Sequence, residues 1–220
     1  MQNYLKWQEK IITDFSNKNI NTLYNQGYLF TRLNKGVMQQ TRSLRVDLAK
    51  FELTSENRRI LKKTEGLELS VAPLPYANYH WSIGKLAKDF YTTKFGEGIF
   101  SANKIKELLN DPEKSNFNRL FVYKYNELQT KVDQAIGYCV ALETNELIHY
   151  CYPFYDLHSP VPNLGMGMML RAIMYAKEAE KKYIYLGSFQ RRSDTYKLQF
   201  EGVEWFDGEK WSSEDEENYK

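Results

Sequence analysis

The hydrophobic pattern is strongest in the last third of the chain, where it predicts a strand, a glycine-bearing loop, a helix and a second strand. Apolar residues end the first strand at Tyr155, and a loop with two prolines follows. Beyond Gly165 and Gly167, apolar positions recur at helical spacing, at Met169, Ala172, Ile173, Ala176 and Ala179. Residues 183–187 read as a strand, so the unit predicts a crossover helix between neighbouring parallel strands.

Earlier in the chain, the pattern predicts further helices and strands. Helices are predicted at residues 3–15, 19–26, 54–63, 77–94 and 101–111. Strands are predicted at residues 45–53, 67–72, 119–125, 134–142 and 146–155. Ile11 and Trp81 are expected to face inward from their helices, and Thr54 with Asn57 is expected to form a weak helix cap. A strand-rich middle followed by one crossover helix is typical of an α/β sandwich with a mixed sheet.

The composition indicates a folded chain outside the membrane and in a reducing compartment. Of the 220 residues, 42% are hydrophobic, and no apolar run is long enough to span a bilayer. The first residues lack the pattern of a signal peptide. Cys139 and Cys151 lie in apolar runs, as buried reduced thiols do, and no Cys/His spacing suits zinc. We therefore expect a cytoplasmic protein with no metal and no membrane partner.

Charge is distributed unevenly, although the net charge is only +2. Residues 32–63 hold nine Lys and Arg against three acids, and residues 201–220 hold eight acids against two Lys. A polyanion site on one face is one interpretation. The preferred one is a solvated helix face plus a disordered acidic tail at residues 212–220. The three histidines, His80, His149 and His158, are scattered and are expected to be structural or superficial.

The turn around Gly165 and Gly167 has two interpretations. A strand, a turn and a helix in this order point backbone N–H groups and the positive helix end at one spot, which favours a phosphate or another anion. Alternatively, the two glycines only let the loop pack closely. Neither GxxxxGK[ST] nor GxGxxG is present, so the common phosphate-loop signatures do not decide between them.

Three motifs occur in an order and spacing that one protein family shares. Residues 45–59, RVDLAKFELTSENRR, follow the pattern RV-x-V-x-x-F-x-x-S-x-x-QRR, with Asn57 in place of Gln. Residues 152–156, YPFYD, stand at a strand end with the pattern Y-x-Y-Y-D. Residues 163–165, NLG, occupy the place of Ser-Leu-Gly.

The C-terminal part of the chain continues the same series of motifs. Residues 183–187, YIYLG, and 196–200, YKLQF, with Glu204, follow the pattern YYLGY…YK-x-x-F-x-P-x-E. Gly208 and Trp211 match the G-x-W that comes next. Together these motifs resemble the aminoacyl-tRNA–protein transferases, in particular their arginyl/leucyl branch, over residues 27–211.

This resemblance implies a GNAT-like α/β fold, with a mixed central sheet flanked by helices and an N-terminal helical and strand extension. It divides the chain into an N-terminal region at residues 1–75, a GNAT-like transferase domain at 76–211 and the tail. The family usually carries a Cys-rich loop before its RV strand. Residues 36–44, GVMQQTRSL, stand there without cysteine, so no metal or iron–sulfur cluster is expected.

The resemblance also implies a reaction: an amino acid, leucine or arginine, moves from charged tRNA to the N-terminal α-amine of an acceptor protein, as in N-degron pathways. The acceptor would begin with Asp or Glu. The ester is already activated, so no cofactor is needed beyond aminoacyl-tRNA as co-substrate. Asp156 is the first choice to hold or deprotonate the amine, while Tyr155 and Tyr196 donate a hydroxyl or stack on adenine. The alternatives are a loop acid that accepts backbone N–H groups and two core-edge tyrosines.

A second set of residues is expected to bind tRNA or the acceptor. Arg58 and Arg59 would follow tRNA phosphates. Arg191 and Arg192 would grip tRNA or an acidic N-terminal residue, unless they only form a solvated loop. The full set is Arg58, Arg59, Asn163, Gly165, Gly167, Ser188, Gln190, Arg191, Arg192 and Lys197.

Two other functions remain open from the sequence. GNAT enzymes bind the acetyl-CoA pyrophosphate at a Q/R-x-x-G-x-G/A turn, and residues 162–167, PNLGMG, fit its glycines but carry Pro162 at its first position. An acetyltransferase is therefore the second hypothesis. The third is a relative without catalysis that binds RNA or protein.

Overall fold

The computed structural model describes residues 5–126, 135–189 and 192–213, and of residues 192–194 it describes the backbone alone. These residues form two sheets, five α-helices and one 3₁₀ helix. Residues 212–213 are the only part of the predicted tail within this range, so the expectation of disorder there lies almost entirely outside the described residues.

An eight-stranded mixed sheet forms the centre of the described structure. Its spatial order is β11-β10-β4-β9-β8-β7-β6-β5. The strands are β4 (Ser43–Asp47), β5 (Leu67–Pro73), β6 (Arg119–Tyr125), β7 (Gly137–Glu143), β8 (Leu147–Tyr155), β9 (Tyr183–Ser188), β10 (Val203–Phe206) and β11 (Trp211–Ser212). Within the described residues, β8 and β9 are the one parallel pair, and every other neighbouring pair is antiparallel. The predicted crossover unit is thereby confirmed.

A small antiparallel sheet lies at the N-terminal side, in the order β1-β3-β2. It consists of β1 (Gln8–Ile11), β2 (Tyr28–Phe30) and β3 (Val37–Gln40). The helix predicted at residues 3–15 was wrong, because the backbone of this segment pairs with β3 and Ile11 is 74% exposed. Strand pairing with a distant segment overrode the local helical spacing.

Helices cover both faces of the large sheet. They are α1 (Asn17–Asn25), α2 (Ser55–Lys63), α3 (Trp81–Phe95), α4 (Ala102–Asn110) and α5 (Leu164–Glu178), with the 3₁₀ helix at Arg192–Gln199. One apolar cluster joins α1, α3 and α4 to one side of the sheet, and a second joins α2 and α5 to the other. Each cluster contains fully buried aromatic side chains, which supply much of the hydrophobic stabilisation of a core of this kind.

Several local expectations change in the structure. Thr54 and Asn57 close a full capping box at α2, because the Asn57 amide oxygen accepts the Thr54 N–H as Glu or Gln would. Trp81 is 65% exposed at the first residue of α3, whose buried residues begin at Ile83. Ala179 lies beyond the end of α5 and is exposed. The strand predicted at residues 45–53 ends at Asp47.

Candidate active site

The parting of β8 and β9 creates the site. The two strands pair over three registers, the last of which joins His149 to Tyr185. Beyond this point β8 continues to Tyr155 along β7, while β9 ends at Ser188. A cleft of about 1130 Å³ includes the ends of both strands and the start of α5 in its lining. Its position follows the rule that ligands bind beyond the carboxyl ends of neighbouring parallel strands.

A proline lies in the part of β8 that no longer pairs with β9, four residues beyond the last register at His149. Pro153 has no N–H to offer a neighbouring strand. Its carbonyl oxygen accepts a hydrogen bond of 3.1 Å from the hydroxyl of Tyr91, which lines the cleft. In a strand the N and O atoms of one residue point to the same side, so this side of β8 is closed to β9. The register of β8 with β7 shifts two residues before Pro153, which leaves Cys151 as an extra residue in a bulge.

The first turn of α5 forms one wall of the cleft. Its N-cap, Asn163, has φ 58° in the left-handed region, and its side chain does not cap the helix. The Cα of Gly165 lies so close to Tyr155 that an added Cβ would be 2.9 Å from the tyrosine hydroxyl oxygen. The glycine is therefore needed for close packing, and it also brings Tyr155 to the helix end. The close-packing interpretation of Gly165 is therefore confirmed, and anion binding at this helix end stays a prediction.

Asp156 lies in the cleft lining at the end of β8 and is partly buried. Its Oδ1 accepts the backbone N–H of His158 at 2.9 Å, as the alternative interpretation of a loop acid required. Among the described residues, Oδ2 has no hydrogen-bond partner. The carboxylate therefore retains one oxygen with which to bind a cationic group in the cleft.

The structure also brings Ser188, Tyr196 and Lys197 into the cleft lining. Lys197 Nζ donates to the carbonyl oxygen of Ser188 at 3.1 Å. Tyr196 is 44% exposed. Together with Tyr155, Asp156, Asn163 and Gly165, these residues form one lining, as expected from the sequence.

Other predicted residues lie elsewhere. Arg58 and Arg59 belong to α2 and are not part of the cleft lining, and Arg59 pairs with Glu56 on the surface. Gly167 packs against Thr64 and donates its N–H to Asn163 O at 2.9 Å, so this amide is not available to a ligand. Gln190 and Arg191 lie outside the described residues, and of Arg192 only the backbone in the 3₁₀ helix is described.

Sequence reasoning missed a second group of lining residues from distant segments. It includes Arg32 from the β2–β3 connection, the end of α3, and the inner part of β8 with His149. Arg32 is held in place, since its Nη2 donates to Ile99 O at 2.8 Å and its guanidinium lies 4.8 Å from the Phe100 ring centroid. No local motif marks these residues, because their role depends on the tertiary contact alone.

His149 lies at the deepest point of strand divergence and is 3% exposed. Its Nδ1 is 2.9 Å from the hydroxyl oxygen of Tyr24. Burial, and to a smaller extent the charge of Lys197, lowers the pKa of His149 to about 3. The imidazole is therefore neutral at physiological pH.

Within the described residues, no group of three or more His, Cys, Asp or Glu side chains is arranged to hold a metal ion. A membrane-spanning segment would need a long apolar helix, and none of the described helices meets that need.

Comparison with known proteins places these features in context. The model of the family described as arginine-tRNA-protein transferase, C terminus, matches residues 76–207, which is more than half of the chain. An aspartate/glutamate leucyltransferase from Ruegeria sp. (strain TM1040) is 28% identical over 172 residues, covering 77% of this chain and 61% of the relative. One from Saccharophagus degradans is 24% identical over 171 residues, covering 76% and 69%. The chain thus spans less than two thirds of the first relative.

Among solved structures, L-PGS from Bacillus licheniformis superposes with a TM-score of 0.51 at 13% identity, covering 87% of this chain and 65% of that one. At this identity the likeness concerns the fold alone. The architecture is the GNAT-like α/β fold expected from the sequence, with a mixed sheet flanked by helices.

Proposed function

We propose that this chain, which belongs to the arginine-tRNA-protein transferase family, moves an amino acid from a charged tRNA to the N-terminal α-amine of an acceptor protein. The observation that carries the proposal is the cleft between the parted strands, which gathers Asp156, Tyr155 and the start of α5 into one lining. The reaction takes place in the cytoplasm and uses no cofactor other than the charged tRNA.

The reaction needs alignment more than activation. The α-amine nitrogen attacks the ester carbonyl carbon, a C–N bond forms, and the C–O bond to the terminal ribose breaks. The proton lost by the nitrogen ends on the ribose oxygen. An α-amine has a pKa of roughly 7.7–8.0, so a substantial fraction is neutral near physiological pH. Asp156 Oδ2 holds the amine in line with the ester, and this alignment supplies much of the rate gain.

We assign leucine as the transferred amino acid. The α5 side of the cleft is lined by buried apolar side chains, namely Val161, Leu164, Met169 and Leu186. An arginyl group would need a carboxylate partner there, and Asp156 is the one carboxylate in the described lining. The names of the two relatives agree with an aliphatic donor.

We assign acceptors that begin with Asp or Glu. Arg32, Lys94 and Lys197 provide three cations in the described lining against the single carboxylate. Arg32 is the best placed to read an acidic side chain, because its guanidinium is fixed and a planar fork suits a carboxylate. Its Nε and Nη1 groups have no hydrogen-bond acceptor within the described part of the chain.

The test is transfer of labelled amino acids from a total charged tRNA pool to peptides that differ only in their first residue. We expect labelled leucine on the Asp and Glu peptides, and labelling from acetyl-CoA is expected to be absent. Asp156→Asn should lower kcat about 100-fold, as loss of an aligning group does. Asp89→Asn, which makes the same chemical change on the exposed surface of α3, is the matched control.

Folded wild-type protein that transfers nothing from any charged tRNA would refute the proposal. Acetyl-CoA-dependent labelling would favour the acetyltransferase. Binding of charged tRNA without transfer would favour a relative without catalysis.

A further inference from the structure

His149 is a buried cleft residue that the reaction as described above does not use. It occupies the last register at which β8 pairs with β9, and it lines the space that opens beyond. Tyr24 from α1 and Tyr185 from β9 enclose it, with Tyr24 in edge contact with both the imidazole and the Tyr185 ring. This polar ring therefore lies at the base of the proposed reaction site, where one of its two nitrogens can face a ligand.

The hydrogen bonds of Tyr24 determine which nitrogen of His149 carries the proton. The hydroxyl oxygen of Tyr24 already accepts the backbone N–H of Phe30 at 3.4 Å. Its own proton needs an acceptor, and among the described residues that acceptor is His149 Nδ1 at 2.9 Å. Tyr24 is fully buried, so an unused hydroxyl proton would be costly. Nδ1 is therefore the acceptor nitrogen, and the neutral ring carries its proton on Nε2.

The Nε2–H group has no acceptor within the described part of the chain. The cleft is the remaining space that the ring contacts, so the acceptor would be a bound molecule. We propose that His149 is a catalytic hydrogen-bond donor whose Nε2–H binds the carbonyl oxygen of the aminoacyl ester and stabilises the oxyanion formed on attack. Tyr24 is a positioning residue that sets the tautomer. This inference rests on the proposed function for the identity of the ester.

The geometry suits this task. A neutral donor in a buried site stabilises developing negative charge without first losing a proton, and removal of one such donor typically lowers kcat about 10²–10³-fold. The ring stays neutral because burial opposes its protonation, with a smaller contribution from the positive charge of Lys197. Since no proton leaves His149, the atom balance of the transfer is unchanged.

Nitrogen NMR of the histidine rings tests the tautomer directly, without substrate. In the wild-type protein, Nε2 of His149 should show the shift of a protonated nitrogen and Nδ1 that of an acceptor. In Tyr24→Phe, the Nδ1–H tautomer should become populated, while the folded state is checked by circular dichroism. A wild-type ring protonated on Nδ1 would overturn the inference, even if the protein transfers amino acids.

Kinetics test the catalytic role. The amide nitrogen of Gln reaches the place of Nε2, whereas that of Asn reaches only the place of Nδ1. His149→Asn should therefore lose about 10²–10³-fold in kcat with little change in KM, and His149→Gln should recover at least tenfold of that loss. His80→Asn keeps the helix cap at exposed His80 and is the matched control.

Equal kcat for folded His149→Asn and His149→Gln would overturn the catalytic role. Absence of transfer by the wild-type protein would instead refute the proposed function, and the NMR result would still decide the tautomer.

Discussion

Glu204→Gln should destabilise the protein strongly, because Glu204 neutralises a buried arginine. The carboxylate accepts from Arg45 Nε and Nη2, each at 2.8 Å, and the two side chains are only 8% and 13% exposed. The guanidinium also lies between the rings of Tyr183 and Trp211, at 3.8 and 4.0 Å from their centroids. This cluster joins β4, β9, β10 and β11 at one edge of the large sheet.

The size of the effect follows from leaving the arginine charge without a counter-charge. Removing one partner of a buried ion pair costs about 3–5 kcal/mol. The lower end applies here, because Asn25 still accepts from Arg45 Nη1 at 3.1 Å, both rings still face the cation, and Gln still offers an oxygen. We therefore expect a loss of about 3 kcal/mol in the free energy of unfolding.

Equilibrium unfolding in urea measures this loss. With a slope of about 2 kcal/mol per molar urea, the midpoint should fall by about 1.5 M. Glu56→Gln is the matched control, since it breaks the exposed Glu56–Arg59 pair with the same chemical change and should shift the midpoint little. Equal shifts for the two variants would refute the argument that burial gives the Arg45 pair its weight.

Two further predictions concern pH and packing. The pKa of His149 is lowered to about 3 from its ordinary value of 6.5, so the unfolded state binds more protons between these values and stability falls as pH drops from 6.5 towards 3. The free energy of unfolding should therefore decrease more between pH 7 and pH 4.5 for the wild type than for His149→Gln. Equal decreases would contradict a neutral buried imidazole. Gly165→Ala should lower transfer with a small change in stability, because the added methyl group displaces the partly buried Tyr155 at the cleft. Gly167→Ala should mainly lower the melting temperature, because its methyl group meets Thr64 in the core, and the reverse pattern in thermal melts and activity assays would contradict this assignment.

Local signals predicted the fold well where they acted within one segment. The Ser101 cap of α4 and the parallel strands on either side of α5 were both predicted and are both observed. These predictions succeeded because capping and hydrophobic spacing act over a few residues. The prediction of a helix in the segment containing β1 was wrong because its strand partner, β3, is about thirty positions away. The short strands β10 and β11 were missed for a related reason. Strand β10 is stabilised by pairing with the distant β4, and β11 by pairing with β10, more than by their own sequences.

The residues of the candidate site likewise fall into those that local motifs predict and those that only tertiary contacts place there. Tyr155, Asp156 and Gly165 follow one another across a single strand, loop and helix start, so two neighbouring motifs located all three. Arg32 and Tyr24 reach the site by tertiary folding from segments more than a hundred residues earlier. Neither residue type indicates a function by itself, and only its position at the cleft suggests a role.

One sequence signal for the cleft itself was not used in the prediction. A proline inside an otherwise regular strand indicates a side of that strand without a ladder partner. Pro153 stands three residues before the loop at Asp156, and the other side of β8 pairs with β7 on both sides of the Cys151 bulge. The unpaired side must then face the following parallel strand, so the two strands separate where the helix N-terminus arrives. Proline, loop acid and glycine turn together therefore predict an opening at this place, before any catalytic residue is assigned.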